Sequence, residues 1–127
     1  MTREPLRRAI VVLVGRQDRP EAALTAQTAV NWLRTHGHIP VASNEDCDGL
    51  AVDGLERRAD PFEGADLVLS IGGDGTMLRA VSLLGGAAVP VLGVNVGHLG
   101  YLAELEPAQV EIGLQRFFEG KFTTERR

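Results

Sequence analysis

Asp66-Leu-Val-Leu-Ser-Ile-Gly-Gly-Asp-Gly-Thr76 decides the fold. Residues 66–71 read as a strand, an apolar run at Leu67, Val68, Leu69 and Ile71 interrupted by Ser70, of the kind that a parallel sheet covered by helices buries. A glycine-rich turn, 72–76, follows at once, and 77–84 read as the helix after it. Working outward, Ala9-Ile-Val-Val-Leu-Val14 is a second such run, ended by Gly15. Residues 20–36 read as a helix, with Pro20 at its first position and Gly37 past its end. Within it Ala22, Ala26, Ala29, Val30 and Leu33 fall on one 3.6-residue stripe. Residues 39–42 read as a short edge strand, because Pro40 has no N–H to give to a ladder. The polar, acidic stretch 43–64 reads as a loop, with a helical turn around 50–57. A further strand, 90–94, and a helix, 107–119, complete the order. The alternation predicts an α/β fold, a Rossmann-like parallel sheet with flanking helices.

At 127 residues the chain is one domain's length, with 44% apolar and 24% charged residues; these values exclude disorder and fibrous repeats. The net charge of −4 offers no basic footprint for nucleic acid. Cys47 is the single cysteine, so no internal disulfide or multi-cysteine metal cluster is possible. No apolar run approaches the roughly 18 residues of a membrane span, and the first residues lack a signal-peptide pattern. The expectation is a soluble, cytoplasmic protein. Cys47 has no His or Lys neighbour to activate it; Trp32 reads as packing, and His36 and His38 as surface or capping residues beside the helix stop.

Chemistry concentrates in Gly72-Gly-Asp-Gly-Thr76. In open α/β sheets ligands bind beyond the carboxyl ends of strands, where this turn lies. Glycine lets the backbone approach a ligand closely, and the following helix directs free N–H groups at it, a ready phosphate site. Arg79, three residues past Thr76, is in reach of the same anion. Asp74 is out of place beside phosphate: like charges roughly 4 Å apart repel by about 4 kcal/mol at an effective dielectric near 20. A metal between the groups, or a substrate hydroxyl that the carboxylate polarises, would offset this, and both point to phosphoryl transfer. The alternative is a tight turn with Asp74 as the helix N-cap. No P-loop and no Gly-x-Gly-x-x-Gly after the first strand is present. A second constellation, Asn95-Val-Gly-His-Leu-Gly-Tyr-Leu102, also follows a strand. Asn95 and His98 offer hydrogen bonds there and Tyr101 a ring, with His98 read as structural.

The two motifs together resemble the NAD kinase family. Gly-Gly-Asp-Gly-Thr alone is shared with diacylglycerol and sphingosine-type lipid kinases; the paired Asn95–Leu102 pattern points to NAD kinase, with Tyr101 where phenylalanine is commoner. The resemblance implies phosphorylation of the adenosine-ribose 2′-hydroxyl of NAD, with ATP or polyphosphate as donor and a divalent metal, of which Mg²⁺ is the expected one. It implies Asp74 as proton acceptor, NAD contacts from Asp74, Gly75, Arg79, Asn95 and Tyr101, and a phosphate loop of Gly72, Gly73 and Thr76. It further implies a homo-oligomer with no nucleic-acid or membrane partner. Residues 1–119 are then an N-terminal nucleotide-binding domain, and 120–127 a linker or first strand of an all-β second domain, without which the chain is expected to be inactive. The alternatives are a lipid kinase of the same superfamily and a non-catalytic nucleotide-binding domain.

Overall fold

The computed structural model describes residues 8–15, 20–50, 52–96 and 106–119. Strand β1, Ala9–Val14, is buried at every position, which is why its sequence is continuously apolar rather than alternating. Helix α1, Pro20–Thr35, stops at Gly37, whose φ of 83° is a left-handed conformation that glycine adopts without a Cβ clash. The His38 N–H donates to the Leu33 carbonyl at 2.8 Å and the Gly37 N–H to the Arg34 carbonyl at 3.1 Å, the paired bonds of a glycine-terminated helix. The expected stripe of Ala22, Ala26, Ala29, Val30 and Leu33 is buried throughout.

The remaining elements are β2, Ile39–Ser43; α2, Asn44–Gly49; β3, Glu56–Arg58; β4, Leu67–Gly72; α3, Asp74–Leu84; β5, Val91–Asn95; a 3₁₀ turn, Pro107–Gln109; and α4, Val110–Phe118. The five strands form one sheet in the order β3-β2-β1-β4-β5, and every neighbouring pair is parallel. The chain runs outward from β1 to β3, then returns to β1's other side with β4. The order therefore reverses between β1 and β4, where open sheets place their ligands. Alternate residues of β1 serve two cores. Ile10, Val12 and Val14 pack with α1 and with Val110 and Leu114 of α4, while Val11 and Leu13 pack with Val41, Val68 and Ala80 of α3. The expected parallel α/β architecture is the one observed.

Five local expectations are corrected. The 43–64 stretch is not a loop with a turn at 50–57: it holds α2 and β3. Ser43 caps α2, its Oγ accepting the Asp46 N–H at 3.1 Å, and Glu45 and Asp46 suit the positive helix end. β3 was hidden by its Glu-Arg-Arg composition, which protects a sheet edge from further pairing. Nor is β2 an edge strand. The Ile39 N–H donates toward β1, to the Arg8 carbonyl at 2.8 Å, so by alternation the missing N–H of Pro40 faces the β3 side. Pairing with β3 begins only at Val41, and no ladder bond is lost. α3 begins at Asp74 rather than 77, and 107–109 form a 3₁₀ turn ahead of α4. His38 is not a surface residue either. Its ring is half-buried and stacks on Phe118 with centroids 4.0 Å apart, while Trp32 stacks on His36 at 3.9 Å. Residues 120–127 lie outside the described residues.

Candidate functional site

Three strand ends meet where the sheet order reverses. Gly72 at the end of β4 is the register partner of Asn95 at the end of β5. On its other side the Gly15 N–H, just past β1, donates to the Ile71 carbonyl at 2.9 Å. The Val96 N–H donates to the Gly72 carbonyl, also at 2.9 Å. Gly72, Gly73, Thr76 and Asn95, which the sequence assigns to one site, thus share the carboxyl edge. Tyr101, His98 and the glycines at 97 and 100 lie outside the described residues.

The glycines here do different things. A Cβ on Gly72 would run into Thr76 Oγ1, with Thr76 Cβ at 3.1 Å and the Gly15 Cα at 3.4 Å; one on Gly15 would lie 3.0 Å from the same Oγ1. These two glycines let α3 settle directly onto the ends of β1 and β4. Among the described residues, added Cβ atoms on Gly73 and Gly75 would meet nothing within 4 Å, so none of the described packing requires glycine there. Gly73 is the N-cap of α3 and supplies no side-chain cap. Helical bonding starts with the Thr76 and Met77 N–H groups donating to the Gly73 carbonyl at 3.1 and 3.2 Å. The amides of Asp74 and Gly75 come before that ladder and are left for other acceptors. An uncapped helix end with open space over its glycines suits an anion. Because Gly73 holds the cap position, the alternative of Asp74 as N-cap is displaced: Asp74 is the first helical residue.

Asn95 Oδ1 is buried and has no hydrogen-bond partner among the described residues. A buried amide oxygen without a donor is costly, and this one sits beside Gly72. Arg79 was expected to reach the loop's anion. In the structure its Nη2 lies 3.9 Å from Asp46 Oδ2 on α2. The sequence reading missed Asp46, although Ser43-Asn-Glu-Asp46 carries the Ser-x-x-Asp signal of a helix start. Among the described residues no three His, Cys, Asp or Glu side chains converge as a metal site, and no helix is long and apolar enough to cross a membrane. Cys47 is half-buried, with its thiol directed to the Ala42 carbonyl at 3.8 Å. Burial pushes the thiol up, against the opposing pull of Arg57, which keeps it a poor nucleophile.

A parallel α/β sheet with an uncapped, glycine-lined helix start at its switch point defines a fold of the nucleotide-binding class. The family of ATP-NAD kinase N-terminal domains matches residues 11–122. Similar chains include the NAD kinases of Corynebacterium diphtheriae, 49% identical over 92% of this chain and 39% of that one, and of Photobacterium profundum, 35% identical over 92% and 41%. The yeast NADH kinase, solved in complex with NADH, superposes with a TM-score of 0.76 at 19% identity, over 93% of this chain and 39% of that one; this likeness concerns the fold. The chain belongs to the NAD kinase family, in its N-terminal domain, and spans about two-fifths of the length of the curated relatives.

Proposed function

We propose that the protein containing this chain phosphorylates the 2′-hydroxyl of the adenosine ribose of NAD, giving NADP, with ATP or polyphosphate as donor. The observation that carries the reading is the space over Gly73 and Gly75 at the start of α3, open among the described residues, at the switch point of a NAD kinase family domain. In this reaction Asp74 accepts the hydroxyl proton as the ribose oxygen attacks the terminal phosphorus. The new oxygen–phosphorus bond forms as the bond to the departing ADP or shortened polyphosphate breaks. The amides of Asp74 and Gly75 and the positive end of α3 hold the phosphoryl oxygens. Gly72 and Thr76 keep that helix end against the strands, Gly73 leaves room for the phosphate, and Arg79, Asn95 and Tyr101 contact the dinucleotide. A Mg²⁺ ion would arrive on the donor phosphates, as such ions do, and no step above is routed through it. The same reading includes a cytoplasmic homo-oligomer, and the family match favours NAD over a lipid acceptor.

The test is NADP formation from NAD and MgATP by the complete gene product and its Asp74→Asn variant. Asn preserves the size of a first-turn residue and disturbs no cap, since Gly73 holds that position. Loss of the base should lower kcat by about 10²–10⁴, with little change in NAD affinity. A folded variant with near-normal turnover would refute the role of Asp74; absence of NADP in the wild-type reaction would refute the reading as a whole.

A further inference from the structure

Asp46 and Arg79 make a pair unlike the others around α2. On its outer side α2 is hydrogen-bonded to β3: Arg57 reaches Asp48 Oδ1 at 2.8 Å and donates to the Asn44 carbonyl at 3.1 Å. On its inner side Asp46 and Arg79 are less exposed, at 15% and 32% of their side chains, yet stand 3.9 Å apart. That distance is charge contact without a hydrogen bond. Among the described residues Arg79 donates no hydrogen bond at all. A guanidinium carries five donors in a planar fork that matches phosphate, and here none is used.

The carboxylate is the fixed partner. Its residue is anchored by the Ser43 cap at 3.1 Å, and its helix by Arg57. Arg79 has a long side chain with several rotatable bonds and sits one turn beyond Thr76, on the same side of α3. Thr76 in turn lies over Gly15 and Gly72. The guanidinium therefore stands beside a held carboxylate, on a residue one helical turn from the strand ends where a nucleotide phosphate is proposed to bind.

We infer that Asp46 is a positioning residue that sets nucleotide affinity through Arg79. The guanidinium is shared between Asp46 and a nucleotide phosphate, so the carboxylate weakens phosphate binding and draws Arg79 back when product leaves. The inference rests on the kinase reading above. It leaves one ligand chemistry, a phosphate, with two sources, ATP or NAD.

The test is a double-mutant cycle in the complete gene product. Dissociation constants for ATP and for NAD are measured by titration calorimetry in wild type, Asp46→Asn, Arg79→Gln and the double variant. Asp46→Asn should tighten one of the two nucleotides by about threefold to tenfold, the scale of one nearby charge in a partly solvated site, and thereby identify which phosphate Arg79 holds. Arg79→Gln should weaken that same nucleotide by at least about tenfold. In the Arg79→Gln background the Asp46 substitution should change affinity by less than about twofold. In turnover, Asp46→Asn should lower KM for that nucleotide without raising kcat. If Asp46→Asn leaves both affinities unchanged or weakens them, or if its effect survives without Arg79, the inference is overturned while the kinase reading stands. A pair that only fastens α2 to α3 would lower the melting temperature in both single variants and tighten neither nucleotide. Wild-type protein that binds neither ATP nor NAD would overturn the kinase reading and this inference together.

Discussion

Replacing Gly72 by alanine tests whether α3 is seated on the strand ends as described. The new Cβ would collide with Thr76 Oγ1 and lie 3.1 Å from Thr76 Cβ and 3.4 Å from the Gly15 Cα. The strand cannot retreat cheaply, because the Gly72 carbonyl holds the Val96 N–H at 2.9 Å and the adjoining Ile71 carbonyl holds Gly15 at 2.9 Å. Either Thr76 leaves its rotamer, at about 0.5–1.5 kcal/mol, or the start of α3 lifts, an overpacking cost of about 1–3 kcal/mol. A loss of about 2 kcal/mol corresponds to a melting temperature lower by about 6–12 °C for a domain of this size. Thermal unfolding followed by circular dichroism reads this directly. Thr76→Ala removes Oγ1 but keeps the Cβ at 3.1 Å, so the Gly72→Ala/Thr76→Ala pair should recover about half of the loss, with a coupling energy near 1 kcal/mol. A Gly72→Ala protein that melts within about 1 °C of wild type, or a double variant that is merely additive, would refute the packing argument.

Gly75→Ala should do the reverse: its Cβ meets nothing within 4 Å and lies inside a helix, so stability should rise by about 0.5–1 kcal/mol while calorimetry shows weaker nucleotide binding. His38 should make stability depend on pH. Burial, then the nearby Arg8 and His36 charges, holds its pKa below the ordinary 6.5, with Asp66 opposing. The unfolded chain then binds more protons, so urea midpoints should be flat above pH 6.5 and fall as pH drops from there through the lowered value; His38→Gln should flatten that fall, and an unchanged slope would exclude His38 as its source. A polypeptide of residues 1–127 by itself should form no NADP, because relatives are more than twice as long and positioning by the rest of the site supplies much of the rate; robust turnover in a coupled NADP assay would show that this domain suffices.

What could be read from the sequence followed how much of its own surroundings each segment encodes. β1, α1 and β4 bury most of a face or both faces, and their apolar patterns gave their positions to within a residue. α2 buries no residue, and β3 is three exposed or half-exposed polar residues. Each exists because of a neighbour, Ser43 for α2 and the register of β2 for β3, so no periodicity marks them. Pro40 misled for the same reason: whether a missing N–H matters depends on the length of β3, which lies elsewhere in the chain. At the site, the glycine turn was legible as a motif. The start of α3 was not, since Asp-Gly-Thr is a poor helix-forming opening held in place by the seat that Gly15 and Gly72 provide. Asp46 was out of reach, because only the sheet brings α2 beside α3.

The turn carries three glycines within four residues, and one explanation does not serve them all. Gly72 is there for the protein: remove its missing side chain's space and α3 collides with β4. Gly73 and Gly75 are different: among the described residues nothing lies within 4 Å of the Cβ that either would gain, which is the room the proposed phosphate site calls for. If the motif were only a tight turn, folding alone should explain each glycine. A helix interior would then favour alanine at 75, and a side-chain oxygen would favour Ser, Asp or Asn at the cap now held by Gly73. The sequence forgoes both gains at the edge where three strand ends, an uncapped helix and the Asn95 oxygen, unpartnered among the described residues, converge. Stability given up at two positions flanking Asp74, with open space among the described residues as the local result, is what the proposed phosphate site would require of this backbone.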